Sequence, residues 1–140
     1  MGRYSTCDGG VGVRLVRRRS YFDANKARKV ALDVGMKALH EGAEAILTES
    51  LKEVPHATGT LARSAAVTDA SREDAVYISY NTPYAVRQHE DLTLRHPDPR
   101  NPISTPGRKA KYLEDPFNRL KAKVMKAVRL KVKKALKDAK

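Results

Sequence analysis

The chain has 140 residues, 41% of them apolar and 6% aromatic with no Trp, and carries a net charge of +12. That length suits one domain burying about 68% of its unfolded surface, while the few aromatics predict that part of the chain lies outside that core or is covered only in an assembly. Cys7 is the only cysteine, which excludes an internal disulfide and a cysteine-cluster zinc site and fits a reducing cytosol. No apolar stretch approaches the roughly 20 residues that cross a bilayer, and the first residues lack a signal-peptide core, so a soluble chain with neither Sec export nor a membrane partner is expected.

Residues 1–22 read as a basic arm, in which Gly9, Gly10 and Gly12 accompany one candidate strand ending at Arg17, Arg18 and Arg19. Asp23 is a suitable N-cap, and Ala24 to Glu53, rich in Ala, Leu, Lys and Glu, is predicted as the longest helix. Leu32, Met36, Leu39, Ala43 and Ile46, widened by Leu47 and Leu51, trace an apolar stripe that is expected to pack on a sheet. Gly35 and Gly42 lie seven apart on nearly one side. Each costs about 1 kcal/mol relative to Ala, and they read as tolerated defects rather than as a place where a neighbouring chain approaches.

Pro55 ends that helix at Val54 because the residue before a proline avoids the helical region. Thr58-Gly59 then turns the chain, with Thr60 as the cap of a short turn to Ser64. Residues 65–68 and Ala75 to Tyr80 read as a hairpin around a polar linker at 69–74, and the alternation of Val76, Ile78 and Tyr80 with Tyr77 and Ser79 marks one buried face. Thr82 and Pro83 start a short helix, as N-cap and first helical residue, running to about Asp91. Residues 92–107, with Pro97, Pro99, Pro102 and Pro106, read as a stiff exposed loop that contacts partners.

A last helix is predicted from about Arg108, kinked at Pro116, with a restart after Asp115 as the lesser alternative. Leu113, Phe117, Leu120, Val124 and Val128 form its stripe; beyond Val128 the spacing loosens, and the distal half is expected to project from the body. Tyr77, Tyr80, Tyr84 and Tyr112 are expected to build a small aromatic core with Phe117. The division that results is a basic arm at 1–22, an α+β domain at 23–120 and a polybasic helical extension at 121–140. Its architecture is a long helix packed on a small antiparallel sheet, then a short helix and a basic C-terminal helix.

Chemical signatures are thin. His89, Glu90 and Asp91 with Tyr84 and His96 form the most tempting cluster, but adjacent helical residues point about 100 degrees apart, so His89 and Glu90 do not read as a ligand pair. His40 and His56 lack a spaced partner of the metalloprotease kind. Cys7 sits in a glycine-rich arm, Ser64 follows no nucleophile elbow, and Gly9-Gly10-Val11-Gly12 lacks the strand and spacing of a phosphate loop. The expectation is a protein that is not an enzyme, with no catalytic, metal or cofactor site.

Charge carries more. From residue 117 onward ten cations face Asp138 alone, a side-chain charge of +9. Arg17, Arg18, Arg19, Lys126, Arg129, Lys131, Lys133, Lys134 and Lys137 are therefore candidates for contact with DNA phosphates or with an acidic partner, against the simpler reading of a solvated helix face. No aromatics interleave the lysines, so sequence readout and base stacking are not expected.

Three segments punctuate the chain: Val54-Pro55-His56-Ala57-Thr58-Gly59-Thr60-Leu61-Ala62-Arg63-Ser64, Asn81-Thr82-Pro83-Tyr84-Ala85-Val86-Arg87-Gln88-His89-Glu90, and Lys109-Ala110-Lys111-Tyr112-Leu113-Glu114-Asp115-Pro116-Phe117. In this order and spacing, over roughly residues 25–120, they resemble the head-tail joining family of long-tailed phages, also called neck, tail-completion or minor capsid proteins. The resemblance implies the same order of elements and a virion protein, assembled in the host cytoplasm. It would form a homo-oligomeric ring, sixfold by preference and twelvefold as the alternative, between a head-tail stopper or adaptor and the tail terminator, with DNA passing through its lumen. Pro55, Thr58, Gly59 and Leu61, then Tyr84, Ala85 and Glu90, then Lys111, Tyr112, Leu113 and Pro116 match its scaffold positions. The proline-rich loop and the polybasic tail depart from it. The rival readings are a free-standing nonspecific DNA-binding protein and a small basic ribonuclease-like toxin.

Overall fold

A computed structural model describes residues 23–70, 73–94 and 108–138. The arm with Arg17, Arg18 and Arg19, and residues 95–107 of the proline-rich loop, lie outside the described residues. The chain is α+β: α1 (Ala24–Glu53), α2 (Thr60–Arg63), β1 (Ala65–Ala70), β2 (Ala75–Tyr80), α3 (Ala85–Glu90) and α4 (Glu114–Asp138), with β1 and β2 pairing antiparallel.

Local chemistry sets the start and end of α1. The Asp23 carboxylate accepts hydrogen bonds from the Asn25 and Lys26 amides at 3.0 and 3.1 Å, satisfying two donors that have no partner within the helix. At the other end Val54 is extended, with φ −62° and ψ 133°, as a residue before proline should be. Gly59 turns the chain at φ 73°, so the short α2 begins from a left-handed glycine, and the Thr58 hydroxyl rather than Thr60 receives the Thr60 amide at 3.4 Å.

Ladder pairing lengthens the first strand: Asp69 and Ala70 sit opposite Val76 and Ala75, so β1 takes the first two residues of the expected linker. Val76, Ile78 and Tyr80 turn inward while Tyr77 and Ser79 are exposed, the expected alternation. The short helix begins two residues later than predicted, because residues 82–84 form a turn in which the Ala85 amide bonds the Thr82 carbonyl at 3.1 Å.

Three expectations about the last helix are corrected. It begins at Glu114, not near Arg108, because Lys111 adopts a left-handed φ of 58° that breaks any earlier helix. Pro116 therefore falls in the first turn, where its missing N–H breaks no intrahelical bond, and it is buried there without kinking the helix. Nor does the distal half project from the body. Helix α4 folds back antiparallel along α1, and this is the largest contact between elements. Val132 lies beside Gly35 and Val124 beside Gly42, while Val128 is buried between them, so the apolar stripe continues past Val128 through Val132 and Leu136.

Of the two glycines, Gly42 is not an idle defect, whereas Gly35 is a tolerated one. A Cβ on Gly42 would overlap Val124 Cγ1, with Val124 Cβ and Cγ2 at 3.3 Å, so α4 crosses α1 at a point only glycine leaves open. At Gly35 the nearest atom would be Val132 Cγ2 at 3.7 Å, an ordinary contact. The α1 stripe divides accordingly: Ala43, Ile46 and Leu47 are buried, whereas Leu32 is 40% exposed.

Candidate functional site

The three punctuating segments, separated in sequence, converge on one joint at the C-terminal end of α1. Val54, Leu61, Ala85 and Tyr112 form its buried cluster, with Ala62, Tyr80 and Leu113 packed against it. Burying an aliphatic side chain of this size contributes about 1.5–3 kcal/mol. The Tyr112 hydroxyl donates to the Ala85 carbonyl at 3.0 Å, and burial, then the nearby Tyr80, pushes its ionisation up to about 12. Its ring meets Tyr80 edge-on at 5.1 Å and His89 edge-on at 4.9 Å. The aromatic core is therefore Tyr80, Tyr112 and His89. Tyr77, Tyr84 and Phe117, expected in it, are 50%, 42% and 47% exposed.

Behind the joint, residues 108–113 act as a strap. The Lys109 amide bonds the Glu53 carbonyl at 3.0 Å and the Lys111 amide bonds the His89 carbonyl at 2.8 Å, which holds the left-handed Lys111 between α1 and α3. Arg108 donates to the carbonyls of Val54 and, at 3.4 Å, Leu51, two acceptors left open at the end of α1. The Lys111 ammonium joins Glu90 and, at 2.9 Å, Glu114. Lys111 is held above its usual value by Glu90, then Glu114, and Glu90 below its own by Lys111, then His89. Glu53, only 13% exposed, bonds Arg119 at 2.7 Å and lies 3.5 Å from Lys109, which also pairs with Asp115.

His89 and Glu90 do meet each other, as a hydrogen-bonded pair: His89 Nδ1 lies 2.7 Å from Glu90 Oε1. The Glu114 amide donates to His89 Nε2 at 3.3 Å, which leaves the ring proton on Nδ1 to donate to Glu90. The imidazole is a tie between α3 and the start of α4. Among the described residues no group of three or more His, Cys, Asp or Glu side chains is placed to hold a metal, and no helix is long and apolar enough to cross a membrane.

The scaffold candidates separate into roles. Leu61, Ala85, Tyr112 and Pro116 are buried, and Leu113 packs at the edge of the cluster. Gly59 supplies the left-handed turn, where a Cβ would also meet Arg63 and His56 at 3.0 Å. Pro55 is half-buried, Thr58 is exposed and bonds the Thr60 hydroxyl at 2.9 Å, and Tyr84 sits as the N-cap of α3 without a side-chain bond. Sequence reading missed the bond of Arg108 to Val54 and missed Ser50, whose fully buried hydroxyl bonds the Tyr80 hydroxyl at 2.7 Å. No spacing signal marks them, since their partners lie 54 and 30 residues away.

Along α4 the candidate cations are not equivalent. Lys131 is taken by Glu41 on α1. Lys126, Arg129, Lys133, Lys134 and Lys137 are exposed and form no ion pair among the described residues. They cover the side of α4 that α1 leaves free, with Arg129, Lys133 and Lys137 along the edge that adjoins Val128, so the helix presents one apolar and one cationic face.

Two open grooves flank the helix pair. One, of about 570 Å³, lies between α1, β2 and the start of α4, with Leu39, Ile46, Ile78, Phe117 and Val124 among its walls. The other, of about 830 Å³, lies between the beginning of α1 and the end of α4. The chain matches no family model, no curated protein and no solved structure.

Proposed function

We propose that the protein is a structural component of the phage neck, a subunit of a ring that joins the DNA-filled head to the tail and surrounds the DNA channel. The observation that carries this reading is the joint. The segments that resemble the head-tail joining family pack into one buried cluster at which α1, the hairpin, α3 and α4 meet. The unpaired cations of α4 suit a lining that neutralises phosphates without reading sequence. On this reading the subunit binds copies of itself, a stopper or adaptor and a tail terminator.

The test is the mass of the purified protein by light scattering at low and high salt, alone and with neck proteins of a long-tailed phage. Discrete rings or recruitment into a neck-sized complex are expected. A persistent monomer that ignores those proteins yet coats duplex DNA would replace this reading with that of a nonspecific DNA-binding protein, which the same free cations favour. Neutralising Lys126, Lys133, Lys134 and Lys137 together should flatten the salt slope of DNA binding by about 3–4 if all four contact phosphates. Lys131 is left out because Glu41 holds it. An unchanged slope would remove the channel role of α4.

A further inference from the structure

The groove at the far end of the helix pair combines two properties that the remaining surface of α4 does not. Its floor is aliphatic: Ala27 and Ala31 from α1, Val128, Val132 and Leu136 from α4. Its rim is cationic, with Arg28 on one side and Arg129, Lys133 and Lys137 on the other, and among the described residues no acidic side chain lines it. From Val128 to Lys137 the α4 wall runs for about 15 Å, near three helical turns.

We propose that this groove docks an amphipathic helix of a protein partner, one whose apolar stripe is flanked by Asp and Glu. The apolar floor and the cationic rim each select part of that chemistry. A third helix laid between two antiparallel helices buries its stripe on the floor and sets its flanking carboxylates against the rim, the helix-in-groove mode of recognition. Duplex DNA would answer the rim but would leave the aliphatic floor without a partner, since its outer surface is phosphate and sugar. Residues 1–22 carry five arginines against Asp8, a charge of the same sign as the rim. Charge complementarity therefore selects an acidic occupant from another protein. The inference stands on the groove alone and does not depend on the neck role.

The full chain is titrated with a fluorescent peptide of about 14 residues, with a leucine stripe flanked by glutamates and a length near that of a marginally stable helix. A scrambled peptide of the same composition, a short duplex DNA and vesicles rich in anionic lipid serve as comparison probes. Two variants separate floor from rim: Ala31→Leu fills the floor without changing charge, and Lys133→Glu with Lys137→Glu reverses the exposed rim. Retained helical circular dichroism shows that each variant folds. Saturable binding of the striped peptide is expected, at least tenfold weaker in either variant and at least tenfold weaker for the scrambled peptide, with Ala31→Leu leaving DNA binding unchanged. The proposal is overturned if the striped peptide does not bind, if the scrambled peptide binds as well, or if Ala31→Leu has no effect while charge reversal abolishes binding. It is equally overturned if Ala31→Leu weakens DNA or vesicle binding instead, or if it dissolves a self-associated form whose contact occupies the groove.

Discussion

The joint and the far half of the helix pair are held by different physics. At the joint, Val54, Leu61, Ala85 and Tyr112 are buried together and several polar groups around them are individually answered: Tyr112 by the Ala85 carbonyl, Ser50 by Tyr80, the end of α1 by Arg108. Along the far half there is no such cluster among the described residues. Valines of α4 lie against glycines of α1, one ion pair joins Lys131 to Glu41, and a groove stays open beyond. A region with many simultaneous constraints fixes geometry, whereas one held by a single close-packed seam leaves surface for a partner.

The most severe break of that contrast is Tyr112→Ala, which removes the buried ring that joins Tyr80, His89 and Ala85. It should cost about 3–5 kcal/mol and unfold the joint in a denaturant titration, while Tyr112→Phe should cost only about 1 kcal/mol for the lost hydrogen bond. Equal losses in the two variants would show that the hydroxyl, not the packing, holds the joint.

Next in size is Gly42→Ala. Helix propensity alone predicts a gain of about 1 kcal/mol, but the new methyl group overlaps Val124, and overpacking of this kind costs about 1–3 kcal/mol. A net fall in Tm is expected, reversed when Val124→Ala is added. Gly35→Ala meets Val132 at an ordinary 3.7 Å and should raise stability by up to about 1 kcal/mol. If the two alanine variants shift Tm alike, the seam is not as close at Gly42 as described.

The smallest effect is acid sensitivity. Glu90, held below its ordinary 4.5 by Lys111 and then His89, and Asp115, held below 3.8 by Lys109, contribute stability above those values. That contribution is lost as pH falls through their lower folded values. The near-ultraviolet circular dichroism of Tyr80 and Tyr112 should therefore fade below about pH 4.5 before the helical signal does. Simultaneous loss of both signals would mean that the strap does not stabilise the joint separately. His40 works in the opposite sense: Asp69 chiefly raises it above 6.5, so its tie between α1 and β1 is complete below pH 6.5 and weakens as pH rises through the folded value.

Much of the fold was legible where short-range chemistry decides it. The Asp23 cap, the stop at Val54 before Pro55, the turn at Gly59 and the two-residue alternation of β2 all depend on neighbours within a few positions. Errors arose where local pattern and packing disagree. Residues 108–113 have helix-forming composition, yet the hydrogen bonds of Lys109 to Glu53 and Lys111 to His89 hold them as a strap. Tyr77, Tyr84 and Phe117 have the character of core residues but stay about half exposed, Tyr77 and Phe117 lining the open groove beside β2. For the candidate site, the three segments were visible as turns, while their convergence on Tyr112 was not.

The sequence by itself determined the bounds of α1, the existence and inward face of the hairpin, and the cationic character of α4, because each follows from residue preference and spacing along a short stretch. Only the tertiary structure decided that α4 folds back along α1, that Gly42 opens the crossing for Val124, and that Lys131 is paired while Lys133 and Lys137 rim a groove. Those contacts join residues far apart in the chain, 90 positions in the case of Lys131 and Glu41. Their free energy comes from surfaces that meet only after the chain has closed on itself, so no local pattern carries them.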